Sequence, residues 1–174
     1  ADYLDRKDIL KEFYGNFPEI EGFRRQIELK ESAYKSKTRN VLVAALKAQS
    51  HNSEISEQTK SNMQLLKESN TFTVTTGHQL NLFTGPLYFL YKIVSTLNLV
   101  KRLKIEFPNY NFVPVYWMAS EDHDFEEINF FNFQGKKIRW ESTSKGAVGR
   151  FKTDNFKAVS KVFSERLGDS KNAY

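Results

Sequence analysis

The spacing of apolar positions changes near residue 71. Before it, apolar side chains recur at helical intervals among many polar ones. Leu4, Leu10, Phe13 and Tyr14 predict a first apolar stripe, broken at Gly15-Asn16-Phe17-Pro18. Pro18 suits the first turn of a second helix, where its missing N–H would be unpaired anyway, and Ile20, Phe23 and Ile27 follow at helical spacing. Val41, Leu42, Ala45 and Leu46 predict a third helix. Ser50-His51-Asn52-Ser53 reads as a loop, and a fourth helix from about Ser56 carries Met63, Leu65 and Leu66.

From Thr71 the pattern alternates. Thr71-Phe72-Thr73-Val74-Thr75-Thr76 is β-branched and predicts a strand running into Gly77-His78-Gln79. A helix is expected from Pro86 to about Ile105, with Thr84 or Gly85 as its N-cap. Its first part is apolar nearly all round and is expected to be buried; Lys101, Arg102 and Lys104 suit its negative C-terminal end. Phe112–Met118 predicts a continuous apolar strand, of the kind covered on both faces, with Pro114 marking a bulge or the strand's start. Strand, helix and strand make a βαβ unit with a parallel sheet. Ile128–Phe133 and Lys137–Glu141, joined at Gln134-Gly135, predict a β-hairpin, and Thr153 opens a last helix ending near Gly168. The fold class is α/β: a helical segment at 1–70, a βαβ core at 71–127, and a hairpin and helix at 128–174.

Composition narrows the chemistry. The chain of 174 residues has no cysteine, which excludes a disulfide scaffold, a cysteine nucleophile and a thiolate metal site within it. The net charge of +5 comes from dispersed basic residues and gives nucleic-acid binding little support. The apolar runs fall far short of the roughly 20 residues of a membrane span. The N-terminus lacks the apolar stretch of a signal peptide, so a cytoplasmic protein with no membrane partner is expected.

In open α/β sheets ligands bind beyond the carboxyl ends of the strands. Two segments fall there, 76–86 and 119–127, and they hold two of the chain's three histidines. In the first, Gly77 allows a sharp turn and close approach to a ligand. Gly85 and Thr84 stand at the helix start, and His78 and Gln79 can bond an anion held there. In the second, Glu121, Asp122, Asp124, Glu126 and Glu127 surround His123. Such crowding needs a compensating partner, or a helix N-terminus after a Ser120 cap. His78, Asp122, His123 and Asp124 are the catalytic candidates. Tyr88 reads as core and Lys92 as either solvated or directed to the acidic loop; Trp117 and Trp140 read as packing residues. No HExxH-type spacing is present and no metal ligand is assigned. A metal-dependent hydrolase using His78, Asp122, His123 and Asp124 is the alternative enzyme class, and a non-catalytic binding module is a third.

The run Thr75-Thr76-Gly77-His78-Gln79-Leu80-Asn81-Leu82-Phe83-Thr84-Gly85-Pro86-Leu87-Tyr88, followed by Val113–Asn129 with Ser120-Glu121-Asp122-His123-Asp124-Phe125-Glu126-Glu127 and then Gly146-Ala147-Val148-Gly149-Arg150, resembles the bacillithiol biosynthesis cysteine-adding enzymes. The resemblance implies a Rossmann-like core similar to class I aminoacyl-tRNA synthetases. It implies a ligase that joins the carboxyl group of L-cysteine to the amino group of glucosaminyl-malate, with ATP as a candidate cofactor. Gly77, Gln79, Thr84, Gly85, Tyr88, Lys92, Glu121 and Asn129 become candidate substrate- or anion-binding residues. Family members are longer and dimerise through a C-terminal coiled coil. The chain therefore resembles the N-terminal part of such an enzyme, a homodimer when full length, and is expected to be inactive alone.

Overall fold

The computed structural model describes residues 1–83 and 85–168. They form two compact units. One comprises 1–74 and 98–114, and the other comprises 75–97 and the described residues from 115 onward. Strand β1 (Thr71–Gln79), helix α4 (Leu87–Glu106) and strand β2 (Asn111–Ala119) each contribute residues to both.

The first unit begins with a 3-10 segment, Asp8–Phe13, where the apolar stripe was expected. No residue of it is buried, and Phe13 is 81% exposed. Tyr14 leaves the stripe to pack its ring on Tyr3 at 5.3 Å, with Phe17 5.1 Å from Tyr3. Helices α1 (Ile20–Ala33), α2 (Ser36–Gln49) and α3 (Glu57–Leu65) follow. Ser56 caps α3 by accepting from the backbone N–H of Thr59. Ile27, Val100, Leu103, Phe107 and Phe112 form the core, with Ile20, Phe23 and Phe72 packed against it. Arg39 of α2 is 3% exposed and donates to the carbonyls of Leu66, Ser69 and Thr71, which fixes the connection from α3 into β1.

β1 and β2 pair in a parallel two-stranded sheet joined through α4, so the βαβ unit stands as expected. Pro114 lies inside β2 rather than at its start. A two-stranded sheet leaves each strand one open edge, which a residue without an N–H tolerates.

The second unit holds the hairpin. β3 (Phe130–Phe133) and β4 (Lys136–Arg139) are antiparallel, with Phe133 opposite Lys136. Gln134 and Gly135 both take positive φ, 49° and 72°, as a type I′ hairpin turn requires. Leu82, Ile138, Trp140 and Val159 are buried together, with Val159 supplied by α6 (Phe156–Leu167). Trp140 donates its indole N–H to Asn155 at 2.7 Å.

Two burial expectations fail here. The first half of α4 is not enclosed: Leu87, Tyr88, Leu90, Tyr91, Val94 and Leu97 are exposed, while Phe89 and Ile93 form a narrow half-buried line. β2 is buried at Phe112 and Val113 but bare at Tyr116, Trp117 and Met118. Successive strand residues point to opposite faces, so neither face is covered at that end. Trp117 is therefore 62% exposed and is not a core residue. Hydropathy registers how apolar these positions are, and burial depends on whether anything lies over them.

Candidate functional site

β1 does not turn at Gly77. The strand continues through His78 to Gln79. Gly77 is needed for space: a Cβ there would lie 2.9 Å from the Trp117 carbonyl oxygen and 3.0 Å from the Trp117 Cβ. The left-handed backbone occurs at Gly85, with φ +61°, just before α4. Thr84 lies outside the described residues.

The end of β1 aims two polar side chains. His78 places Nε2 2.8 Å from the Tyr88 hydroxyl and Nδ1 3.1 Å from its neighbour's carbonyl, Gln79 O. Asn81 Nδ2 lies 3.0 Å from the same Nδ1. The Phe89 ring packs edge-on to the imidazole at 5.6 Å. Tyr88, which the sequence offers both as core and as a candidate binding residue, is 55% exposed and belongs to this cluster. Lys92 donates to the Gly77 carbonyl, so its partner is the first loop's strand and not the acidic loop.

Gln79 joins the two strand ends. Its amide nitrogen donates to Asp122 Oδ2 at 2.8 Å and to Glu127 Oε2 at 3.0 Å. The backbone N–H of Asp124 donates to Asp122 Oδ1 at 3.0 Å. That N–H, then the Gln79 amide, hold the Asp122 carboxyl below the ordinary aspartate value; the nearby His123 adds to the effect. Part of the acidic cluster is thus compensated by a neutral amide and a backbone donor. A short helix, α5 (Phe125–Ile128), follows, with Asp124 and not Ser120 at its N-cap position. Glu121, His123 and Asp124 are exposed, and their side chains make no hydrogen bond among the described residues.

The segment Gly146–Arg150 fixes this loop from the other side. The N–H of Val148 donates to the Asp122 carbonyl at 2.7 Å, and that of Gly149 to the Ser120 carbonyl at 2.9 Å. A Cβ on Gly149 would lie 2.5 Å from the Ser120 Cβ, so only glycine lets the two segments meet this closely. Asn129, 1% exposed, has a different setting. It lines a cavity of about 700 Å³ with Glu126, Arg139, Lys152 and Asp154, and it donates to Glu126 at 3.4 Å. Arg139 pairs with Glu126 at 2.8 Å.

The structure therefore brings Gly77, His78, Gln79, Tyr88 and Lys92 together, and couples Gln79 to Asp122. It does not put His78 on the acidic loop, because its ring nitrogens face Tyr88, Asn81 and Gln79. Among the described residues no three His, Asp or Glu side chains assemble as metal ligands, so the metal-dependent reading gains no geometric support. Sequence reasoning missed Asn81, the bridging of Glu127 by Gln79, and the clamp at Gly149. Asn81 lies within the first run that carries the resemblance and Gly149 within the Gly146–Arg150 segment after the second, but their contacts are set by tertiary approach.

A family model for the N-terminal Rossmann-like domain of the bacillithiol biosynthesis protein BshC matches residues 1–174. The chain is 61% identical over 174 residues to a proposed cysteine ligase BshC of Flavobacterium psychrophilum, covering 99% of this chain and 33% of the relative. It is 58% identical over 172 residues to the protein of the same name from Flavobacterium johnsoniae, covering 99% and 32%. The counterpart from Christiangramia forsetii is 53% identical, at 99% and 33%. The chain thus spans about a third of the length of these relatives.

Proposed function

The chain belongs to the BshC family as its N-terminal Rossmann-like domain, and from that premise we propose that it forms part of the pocket of a ligase joining L-cysteine to glucosaminyl-malate. The observation that carries this reading is the Gln79 bridge. It couples the ends of two parallel strands, where α/β folds bind ligands, and it holds Asp122 as a carboxylate beside them. A fixed carboxylate at a strand end suits a substrate ammonium, and the exposed Asp124 and Glu121 add negative potential. Tyr88, hydrogen-bonded to His78, and Lys92 offer donors on the β1 side, beside the first turn of α4. Those donors fit a carboxylate or a phosphate.

Amide formation from a free carboxylate requires activation, and ATP is the candidate the family resemblance supplies. Bound there, it would provide the leaving group, and His78, Tyr88 and Lys92 are the side chains that would hold its phosphates. Residues 1–70 as a helical segment, 71–127 as the core and 128–174 as the start of a connecting region belong to the same reading. So do likeness to class I synthetases, cytoplasmic location, homodimerisation of the full-length protein and inactivity of the chain alone. Among the described residues no helix is long and apolar enough to cross a membrane.

The test is turnover of glucosaminyl-malate and cysteine by the full-length enzyme and its His78→Ala and Asp122→Ala variants. A loss of roughly 100-fold or more is expected in each. Wild-type turnover in both would remove the site assignment.

A further inference from the structure

We propose that Asn81 is a positioning residue that holds His78 as the neutral tautomer protonated on Nε2, so that the Tyr88 hydroxyl hydrogen is left for an acceptor oxygen of the substrate. The proposal rests on the reading of the β1 end as part of the pocket.

Asn81 Nδ2 lies 3.0 Å from Gln79 O and 3.0 Å from His78 Nδ1. A backbone carbonyl only accepts, so the Asn81 amide must face it with nitrogen; the flipped amide would set two oxygens against each other. Gln79 O and His78 Nδ1 are themselves 3.1 Å apart, so the two Nδ2 hydrogens reach these two acceptors at bent angles, one to each. A neutral imidazole has one bare nitrogen, and a donor aimed at Nδ1 makes that the bare one. The proton then sits on Nε2 and is donated to Tyr88 Oη at 2.8 Å. The other arrangement, Nδ1–H donated to Gln79 O at 3.1 Å, would leave Asn81 Nδ2 3.0 Å from a ring nitrogen with no lone pair to accept its hydrogen.

The consequence lies at Tyr88. Its oxygen accepts from His78, so its own hydrogen is free, and the side chain is 55% exposed. The pair presents a donor, which selects a carboxylate or phosphoryl oxygen over an ammonium. Gly85 makes the arrangement sterically possible: with φ +61°, a Cβ there would lie 2.9 Å from Asn81 Cβ and 3.0 Å from its Cγ.

The test is a long-range proton–nitrogen NMR correlation on the 174-residue chain with labelled histidine. It is run near pH 8.5, about two units above the ordinary imidazole value, with His78 assigned by its loss in His78→Gln. The wild-type chain is expected to show Nε2 protonated and Nδ1 bare. Asn81→Asp replaces the donor with an acceptor and is expected to put a proton on Nδ1. A wild-type ring protonated on Nδ1, or an unchanged pattern in Asn81→Asp, overturns the proposal. These spectra do not depend on turnover: normal activity of both His78→Ala and Asp122→Ala would remove the functional reading and leave the tautomer standing, and the reverse result would do the opposite.

Discussion

Two polar clusters, one in each compact unit, find their partners in opposite ways. In the first, the buried Arg39 directs its guanidinium at three backbone carbonyls, 2.8 to 3.3 Å away, and it pairs with no carboxylate among the described residues. In the second, His78, Tyr88, Asn81, Gln79, Asp122 and Glu127 bond largely to one another near solvent at the strand ends. A side chain bonded to backbone fixes the path of the chain. Side chains bonded to each other at an open strand end leave donors and acceptors for something else. The contrast separates a polar group that serves the fold from the polar groups of the candidate site.

Substitutions can break that contrast, starting with the largest expected effect. Leu103→Ala removes the most deeply buried side chain of the first unit's core and should cost about 3 kcal/mol in denaturant unfolding. Arg39→Met should cost about 2 kcal/mol, because the carbonyls of Leu66, Ser69 and Thr71 lose their shared donor. If Arg39→Met instead unfolds like wild type, the guanidinium is not fixing the chain. Gly149→Ala should cost roughly 1–2 kcal/mol from overpacking against Ser120; the loop at 120–122 should also lose amide protection in hydrogen exchange.

Gln79→Ala should change stability least, by under about 0.5 kcal/mol, yet alter the titration of Asp122. The native carboxyl is held below 3.8, so its bonds are present above that pH and are lost as pH falls through the lowered value. Carbon-13 NMR of the Asp122 carboxyl should show a midpoint below 3.8 in the wild-type chain and an upward move in Gln79→Ala. The move should be partial, because the Asp124 N–H is the larger cause. A wild-type midpoint at or above 3.8 would contradict the bridge.

The βαβ unit was legible because its signals are local. The β-branched alternation at 71–76, the long apolar helix and the apolar strand at 112–118 each declare their type, and Gln134-Gly135 declares the hairpin. Coverage was not legible. The same apolar residues of α4 and β2 read alike whether another layer lies over them or not, so Trp117 reads as a packing residue and Tyr88 as core as well as candidate binding residue. The N-terminal stripe failed for a related reason, since Tyr3, Tyr14 and Phe17 found ring partners that periodicity does not describe. In the site, His78, Gln79 and Asp122 stood out by residue type at strand ends. Asn81 and Gly149 did not, because their roles arise from close approach to residues 3 and 29 positions away.

The chain carries two tryptophans, and the structure gives them opposite surroundings. Trp140 is 5% exposed in the hairpin core; Trp117 is 62% exposed beside Gly77. Their fluorescence should divide accordingly. One component is blue-shifted and shielded from iodide, reporting the integrity of the second unit. The other is red-shifted and quenchable, at the strand end next to the candidate site. Any molecule that settles against that end of β2 would shield Trp117 and leave Trp140 unchanged, which gives the unlabelled protein its own optical readout of occupancy.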